Sequence, residues 1–397
     1  MSIAPVMQRL LDYQADQIEL VLLNHRVPGR VIEGTVTPRW VHYQILPELA
    51  TKISRVAALG EEMALRLGVP DVRVSRRGTT IQVEVPRSDA QPVRLLNLCR
   101  RLEQVPRQSA ILGMDDTGLP LLLRLSSPEV AHVLIAGTTG SGKTALARSM
   151  ALSLALYSRL GEVQMIFIDP KGTGFGPLAS LDGAGLPHLL RPAVCEVHQA
   201  IFLLGEMVEE MVRRDRENIS EPRVIIFIDE VADLMEQGGR AMDRLMTRLT
   251  QRGRSAGIHL IACTQKPLAA VIGSLTRSNF PVRLVGSVAS ADDAKIAAGI
   301  PGTGAEKLLG RGDFLLVVKG QVTRFQAAYV SETEIRQVVE QMQSRQQVRR
   351  GWPEPAQITD NLAATGTEGR LAQLAPAGSK RRRGLELMFG HQLQLIK

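Results

Sequence analysis

Apolar positions fall into two regimes along the chain. In the centre, short and nearly continuous apolar runs occupy residues 132–137, 163–169, 224–229, 258–264 and 282–288. Unbroken runs of this length suit strands buried on both faces. Helical stretches separate them, so the alternation predicts a parallel sheet covered by helices. Residues 314–318 and 324–329 flank Lys319-Gly320 and predict a closing hairpin.

The flanks follow a different rhythm. Val6, Leu10, Leu11, Ile18, Val21 and Leu22 recur at helical spacing, so residues 1–27 predict a short docking helix or a loose arm. Residues 29–47 are rich in β-branched and aromatic side chains and predict strand. Ile53, Val56, Leu59, Met63, Ala64 and Leu67 form a helical stripe. Two strands are predicted at 71–75 and 79–85, joined by a basic turn, with a helix at 93–102. Residues 28–107 thus form a small α/β domain without a catalytic constellation. Residues 108–125 predict a hairpin that leads into a larger domain spanning 108–340. The pattern dissolves from 341. Residues 341–397 predict a basic, flexible tail, with a basic cluster at 380–383 and a short amphipathic segment at 385–396. That segment can dock a protein partner, and plain disorder is the rival.

Composition narrows the class. The chain has 397 residues, 44% hydrophobic and 22% charged, with a formal charge of +8 and a pI near 9.7. The excess of positive charge favours an anionic partner, most simply nucleic acid. Aromatic residues make up only 4%, which argues against stacking platforms for single strands. Cys99, Cys195 and Cys263 are scattered and lack metal-ligand spacing, so they read as reduced thiols of a cytoplasmic protein. No apolar stretch approaches the ~20 residues of a membrane helix, so direct membrane insertion is not expected.

The chemistry centres on HVLIAGTTGSGKT (132–144). An apolar strand enters a glycine-rich turn and a helix follows at once. Gly137, Thr138, Thr139, Gly140, Ser141, Gly142, Lys143 and Thr144 match a phosphate-binding loop over its full length. Glycines let the backbone N–H groups face phosphate oxygens, and the helix N-terminus adds positive potential. Lys143 is placed to reach the outer phosphates of ATP, and the Thr144 hydroxyl to ligate Mg²⁺. The run VIIFI ends in Asp229-Glu230. Acids at a strand C-terminus beside a phosphate loop suit metal binding by Asp229, through water, and water activation by Glu230. Ordinary helix N-terminal acids are the alternative. Gln265 ends the next strand and could sense the terminal phosphate, or serve only as a turn residue. The arginine-rich stretch 248–254 could supply a finger to a neighbour's nucleotide, or form a solvated basic face.

At this point the chain resembles the FtsK/SpoIIIE family. The resemblance rests on HVLIAGTTGSGKT, MIFIDPKGTGF (165–175), GLPHLL (185–190), VIIFIDEVADLM (224–235), GRSAGIHLIACTQKP (253–267), SNFPVRL (278–284) and EKLLGRGDFLL (306–316). GTVTPRWVHYQILP (34–47), ISRVAALGEEMALRLGVPDVRV (53–74) and IQVEVPR (81–87) are similar to the family's collar-like α domain. The resemblance implies an α/β, RecA-like P-loop NTPase with a parallel-sheet core, preceded by a small α/β domain. It implies a hexameric ring that hydrolyses ATP between subunits and moves double-stranded DNA. Arg254 becomes the finger candidate, and Lys266, Arg277 and Lys295 become DNA-facing cations that would track phosphates without reading bases.

Three departures from the family pattern bear on biological role. A membrane-spanning N-terminus and a winged-helix γ domain are not recognisable, and Ala291 stands where many relatives carry lysine. The expectation is therefore a mobile-element, plasmid or phage-type DNA mover. The alternative is a secretion-type ATPase that moves protein substrates.

Overall fold

A computed structural model describes residues 5–48, 51–179, 185–265 and 279–348. Lys266, Arg277 and the sequence beyond 348, including the segment 385–396 read as a candidate docking segment, lie outside the described residues. The chain divides into two compact units, the first running to Pro92 and the second beginning at Val93.

The first unit is an antiparallel sheet with helices. β1 (Gly29–Val36), β2 (Trp40–Pro47), β3 (Arg73–Arg77) and β4 (Thr80–Pro86) lie in the order β1-β2-β4-β3. α1 (Pro5–Asn24), α2 (Ile53–Ala57) and α3 (Gly60–Leu67) accompany them. α1 is no loose arm. Leu11, Ile18, Val21 and Leu22 are buried in one core with Tyr43, Ile45, Met63 and Val83. The Tyr43 hydroxyl donates to Gln14 Oε1 at 2.8 Å, which pins the helix to β2. Gly68 closes α3 in the left-handed conformation (φ 67°), where a side chain would be strained.

The second unit opens with β5 (Val93–Arg94) and α4 (Leu95–Arg101), followed by β6 (Ser109–Asp115) and β7 (Pro120–Arg124). Sequence periodicity groups 93–102 with the small domain, yet Val93, Leu95, Leu96, Leu98 and Cys99 share the large core of this unit. The reason is non-local: β5 pairs in parallel with residues 328 and 329, and Tyr157 Oη donates to the Cys99 carbonyl at 3.1 Å.

The centre is β8 (Val133–Ala136), α5 (Lys143–Tyr157), β9 (Val163–Ile168), α6 (Val197–Glu217), β10 (Arg223–Ile228), α7 (Val231–Arg252) and β11 (Ile258–Thr264). β12 (Val282–Val285), α8 (Ala291–Ala298), β13 (Asp313–Val318), β14 (Gln321–Tyr329) and α9 (Glu332–Val348) complete it. The sheet order is β7-β6-β14-β13-β12-β8-β11-β10-β9. The strands from β12 to β9 run parallel, as the unbroken apolar runs predict. β13, β14, β6 and β7 extend the sheet antiparallel, so the whole is mixed.

α5 is buried along most of its length, through Leu146, Ala147, Met150, Ala151, Leu154 and Ala155. Its alanines and leucines favour helix and let it pack closely on the sheet. α7 breaks its helical geometry at Gly239 (φ 52°). α9 runs past residue 340, where the sequence pattern suggests a tail. Met342 is fully buried, and Gln343 Nε2 donates to the Gly185 carbonyl at 2.6 Å. Gln341, Gln343 and Ser344 around Met342 are polar, which is why periodicity fades there.

Phe167 on β9, Phe227 on β10 and Phe175 just beyond β9 pack together, with centroids 4.8 to 6.0 Å apart. All three are essentially buried. We predict that Phe227→Ala destabilises this unit by about 3–5 kcal/mol. Urea unfolding followed by circular dichroism measures it, and a midpoint equal to that of the parent would contradict this packing role.

Candidate nucleotide-binding site

The phosphate loop follows the C-terminal end of β8. Gly140 (φ 81°) and Gly142 (φ 103°) take left-handed backbone angles, so the turn requires glycine at both. The Thr138 carbonyl is the hub of the loop. It accepts from Ser141 N at 3.2 Å, Ser141 Oγ at 2.7 Å and Lys143 Nζ at 3.0 Å. Two other segments grip the loop from outside. Thr138 N and Oγ1 donate to the Ser287 carbonyl at 2.8 and 3.1 Å. Arg311 N and Gly312 N donate to the carbonyls of Gly140 and Ser141 at 3.1 and 2.8 Å. Asp313 holds that second segment by a bidentate pair with Arg324 at 2.8 and 2.7 Å.

Lys143 is 6% exposed. Burial lowers its pKa, while acids including Glu230 and Asp229 act the other way. Thr144 Oγ1 donates to Asp229 Oδ1 at 2.8 Å. Burial raises the pKa of Asp229; the Thr144 hydrogen bond opposes this, and Asp169 adds to it. Burial likewise raises Glu230, opposed by hydrogen bonds from the Thr264 hydroxyl and the Gln265 backbone. Gln265 N lies 3.2 and 3.1 Å from the two Glu230 carboxylate oxygens. Thr139 Oγ1 donates to Gln265 Oε1 at 2.8 Å. The structure therefore brings together the loop 137–144, Asp229, Glu230 and Gln265.

Asp169 is a further participant, and sequence reasoning gives it no role. It follows β9 directly and is 2% exposed. Its carboxylate accepts from four backbone N–H groups, those of Lys171, Gly172, Gly174 and Phe175, at 2.6 to 3.2 Å. The stretch it organises abuts Asp229: a Cβ on Gly174 would fall 2.8 Å from Asp229 Cγ. The signal was an acid after an apolar strand followed by a glycine-rich turn, the same grammar that marks Asp229.

Arg254 lies elsewhere. It is exposed in the turn before β11, where Gly257 N donates to the Arg254 carbonyl at 3.1 Å and Ile258 N to the Gly253 carbonyl at 2.8 Å. Its charge bears on Glu129, Arg223 and His259, all at the N-terminal edge of the parallel strands. The phosphate loop sits at the opposite edge. β11 has seven residues, so at ~3.3 Å per residue the two edges are roughly 20 Å apart. Lys295 is exposed in the last turn of α8, and none of the hydrogen bonds or ion pairs described joins it to the loop. Ala291 is exposed at the start of the same helix, where Ser290 accepts from Asp293 N at 3.1 Å as the N-cap.

A magnesium ion fits the oxygen pair at Thr144 and Asp229. Both are hard donors and 2.8 Å apart, and Mg²⁺ takes most other ligands from water and phosphate. No group of three or more acidic, histidine or cysteine ligands exists among the described residues. A divalent cation would also offset the cost of burying the Asp229 charge.

A phosphate loop at the C-terminal edge of a parallel sheet, with a threonine–aspartate pair and an adjacent buried glutamate, defines a P-loop ATPase unit. Residues 103–224 and 215–269 match the FtsK/SpoIIIE family, and residues 4–87 match the FtsK alpha domain. The chain belongs to the FtsK/SpoIIIE family. It is 33% identical over 364 residues to the DNA translocase FtsK of Sporosarcina ureae, covering 83% of this chain and 46% of that protein. It is 33% identical over 369 residues to the DNA translocase FtsK of Leptospira interrogans, covering 85% and 38%. The chain thus spans less than half the length of these relatives. Among solved structures, the pCW3 conjugation coupling protein TcpA in a monomer form with ATPγS matches at TM-score 0.56 and 20% identity. That match covers 84% of this chain and 100% of the TcpA chain in that structure. The cytoplasmic domain of the Thermomonospora curvata type VII secretion ATPase EccC matches at 0.52 and 22%, covering 72% and 36%. At these identities the two structures share the fold alone. No described helix is long and apolar enough to cross a membrane.

Two outcomes follow from the buried charges. Lys143→Ala should abolish ATP turnover, read as phosphate release. Glu230 has a folded-state pKa raised above the ~4.3 of an unfolded chain. The penalty on its ionised form is complete above the folded value and absent below the unfolded one. Glu230→Gln should therefore melt at a higher temperature than the parent at pH 7, with the gap closing as pH falls toward 4. A constant gap across that range would refute a charge origin.

Proposed function

We propose that the chain is a DNA-translocating ATPase subunit that works in a ring, with ATP held between neighbours. The observation that carries this reading is the position of Arg254. An exposed arginine on the sheet edge opposite its own phosphate loop suits a role at another subunit's nucleotide. In this reading Lys143 and the loop N–H groups hold the phosphates, and Thr144 and Asp229 hold Mg²⁺, which neutralises phosphate charge when bound. Glu230 orients and deprotonates the attacking water. Gln265, joined to Thr139 and Glu230, relays the state of the terminal phosphate toward Lys266 and the residues after it.

Double-stranded DNA as the substrate is supported by the named relatives and by the +8 charge. Lys266, Arg277 and Lys295 are the proposed phosphate-tracking cations, so affinity should fall steeply with salt. Six subunits are the ring size implied by family likeness. Three free cysteines suit a cytoplasmic location. The 33% identity to DNA translocases favours DNA over a protein substrate, for which EccC offers likeness of fold alone. The chain spans only part of its relatives, so its ends carry no argument for a mobile-element, plasmid or phage role.

Long duplex DNA should stimulate ATP hydrolysis, and ATP should drive displacement of a triplex-forming strand from a duplex. Turnover indifferent to DNA would remove the translocase reading. Mixing Arg254→Ala with Glu230→Gln subunits tests the shared site. In mixed rings, some interfaces pair a parental Arg254 with a parental Glu230, so activity should exceed the average of the two parents. Simple averaging at every ratio would exclude the role in trans.

A further inference from the structure

The stretch 169–175 forms a wall of the nucleotide site and is held from three sides. Asp169 saturates its carboxylate with four backbone N–H groups, so it acts as a scaffold. Arg148 lies one helical turn beyond Thr144 on α5. It donates to the Thr173 carbonyl at 2.8 Å and to the Gly174 carbonyl, and pairs with Glu332 at 3.0 Å. Phe175 anchors the far end against Phe167 and Phe227. Gly174 fits against the Asp229 carboxylate with no room for a side chain. The backbone is therefore clamped beside the Thr144–Asp229 pair.

Lys171 is the cation this wall carries. It is exposed, and among the described residues no hydrogen bond or ion pair is formed by its ammonium group. Its charge bears favourably on Asp229 and unfavourably on Lys143. Two lysines facing one cradle repel, and a polyanion between them turns that repulsion into attraction on both sides. Lys143 starts α5 and reaches the outer phosphates from the loop side. Lys171 is tied through its backbone N–H to Asp169 at 3.2 Å, in the same turn as Gly174, which abuts the Asp229 carboxylate; the turn thus carries it on the acid side of the loop.

We propose that Lys171 is a second phosphate-binding residue, donating to the terminal phosphate of the nucleotide that Lys143 holds. The inference rests on the phosphate-loop reading and assigns a residue to the end of the chain of phosphates. A cation there also stabilises charge that develops as the terminal phosphoryl group transfers.

Competition of ATPγS and ADP against a fluorescent ADP, on the full chain, tests this directly. Lys171→Ala should weaken ATPγS by about tenfold or more, the scale of a lost charged hydrogen bond, with ADP affinity changed less than about twofold. Lys171→Arg should restore most of the preference for ATPγS. Loss of affinity for both nucleotides in equal measure, or for neither, would overturn the proposal. Melting without nucleotide reports whether the fold survives; if Lys171→Ala melts early, Lys171→Gln is held to the same criterion. Lys143→Ala is the control for the cradle: unchanged binding of both nucleotides there would sink the phosphate-loop reading itself, a result distinct from failure of Lys171 alone.

Discussion

Thr144 lies in the first turn of α5 and Asp229 follows β10, yet their side chains meet at 2.8 Å. The contact depends on strand order. β8 and β10 both pair in parallel with β11, one on each side. Their C-terminal ends therefore arrive on the same edge, one strand apart. Every group at the site follows from this. Ser287 comes after β12, Gln265 after β11, Glu230 after β10 and Asp169 after β9. Five strands deliver five short segments to one edge, which is where open α/β sheets bind ligands.

That edge is under electrostatic tension. Asp229 and Glu230 are raised by burial, and Lys143 is lowered by it. The arrangement stabilises none of these charges well by itself and is suited to a charged ligand and metal, as functional sites commonly are. The opposite edge is arranged differently. His259 donates through Nδ1 to the Ala131 carbonyl at 2.7 Å and accepts from Arg223 at 2.9 Å through Nε2. Burial drives its pKa down to about 4. His132 accepts from Leu260 N at 3.0 Å and falls to about 3. Both rings stay neutral, so Arg223 and Arg254 face no third cation from within the core.

Much of the site was legible because its chemistry is local. Thr138, Gly140, Gly142, Lys143 and Thr144 are contiguous by necessity, since one turn must wrap one phosphate chain. Asp229-Glu230 after VIIFI carries the same mark. Asp169 carries it too, but its role is to hold backbone, and which acid does that depends on the turn that follows. The grip of Ser287, Arg311 and Gly312 on the loop was illegible, because it uses backbone groups that any residue possesses. The small domain shows the same limit. The stripe of α1 was visible, but whether it packs on a sheet or hangs free depends on Tyr43 and Ile45, distant in sequence.

The amino-acid sequence alone determined the strand–helix alternation, the phosphate loop and the acid pair, because each is set by periodicity or by spacing within a few residues. Tertiary structure decided which strand lies beside which, and hence that Thr144 meets Asp229. It assigned residues 93–102 to the second unit and carried α9 through Val348. It also separated Arg254 from the phosphate loop by the length of a strand and set the turn after β9 against Asp229. Those are distances between segments remote in sequence, and only the packing of one sheet converts them into neighbours.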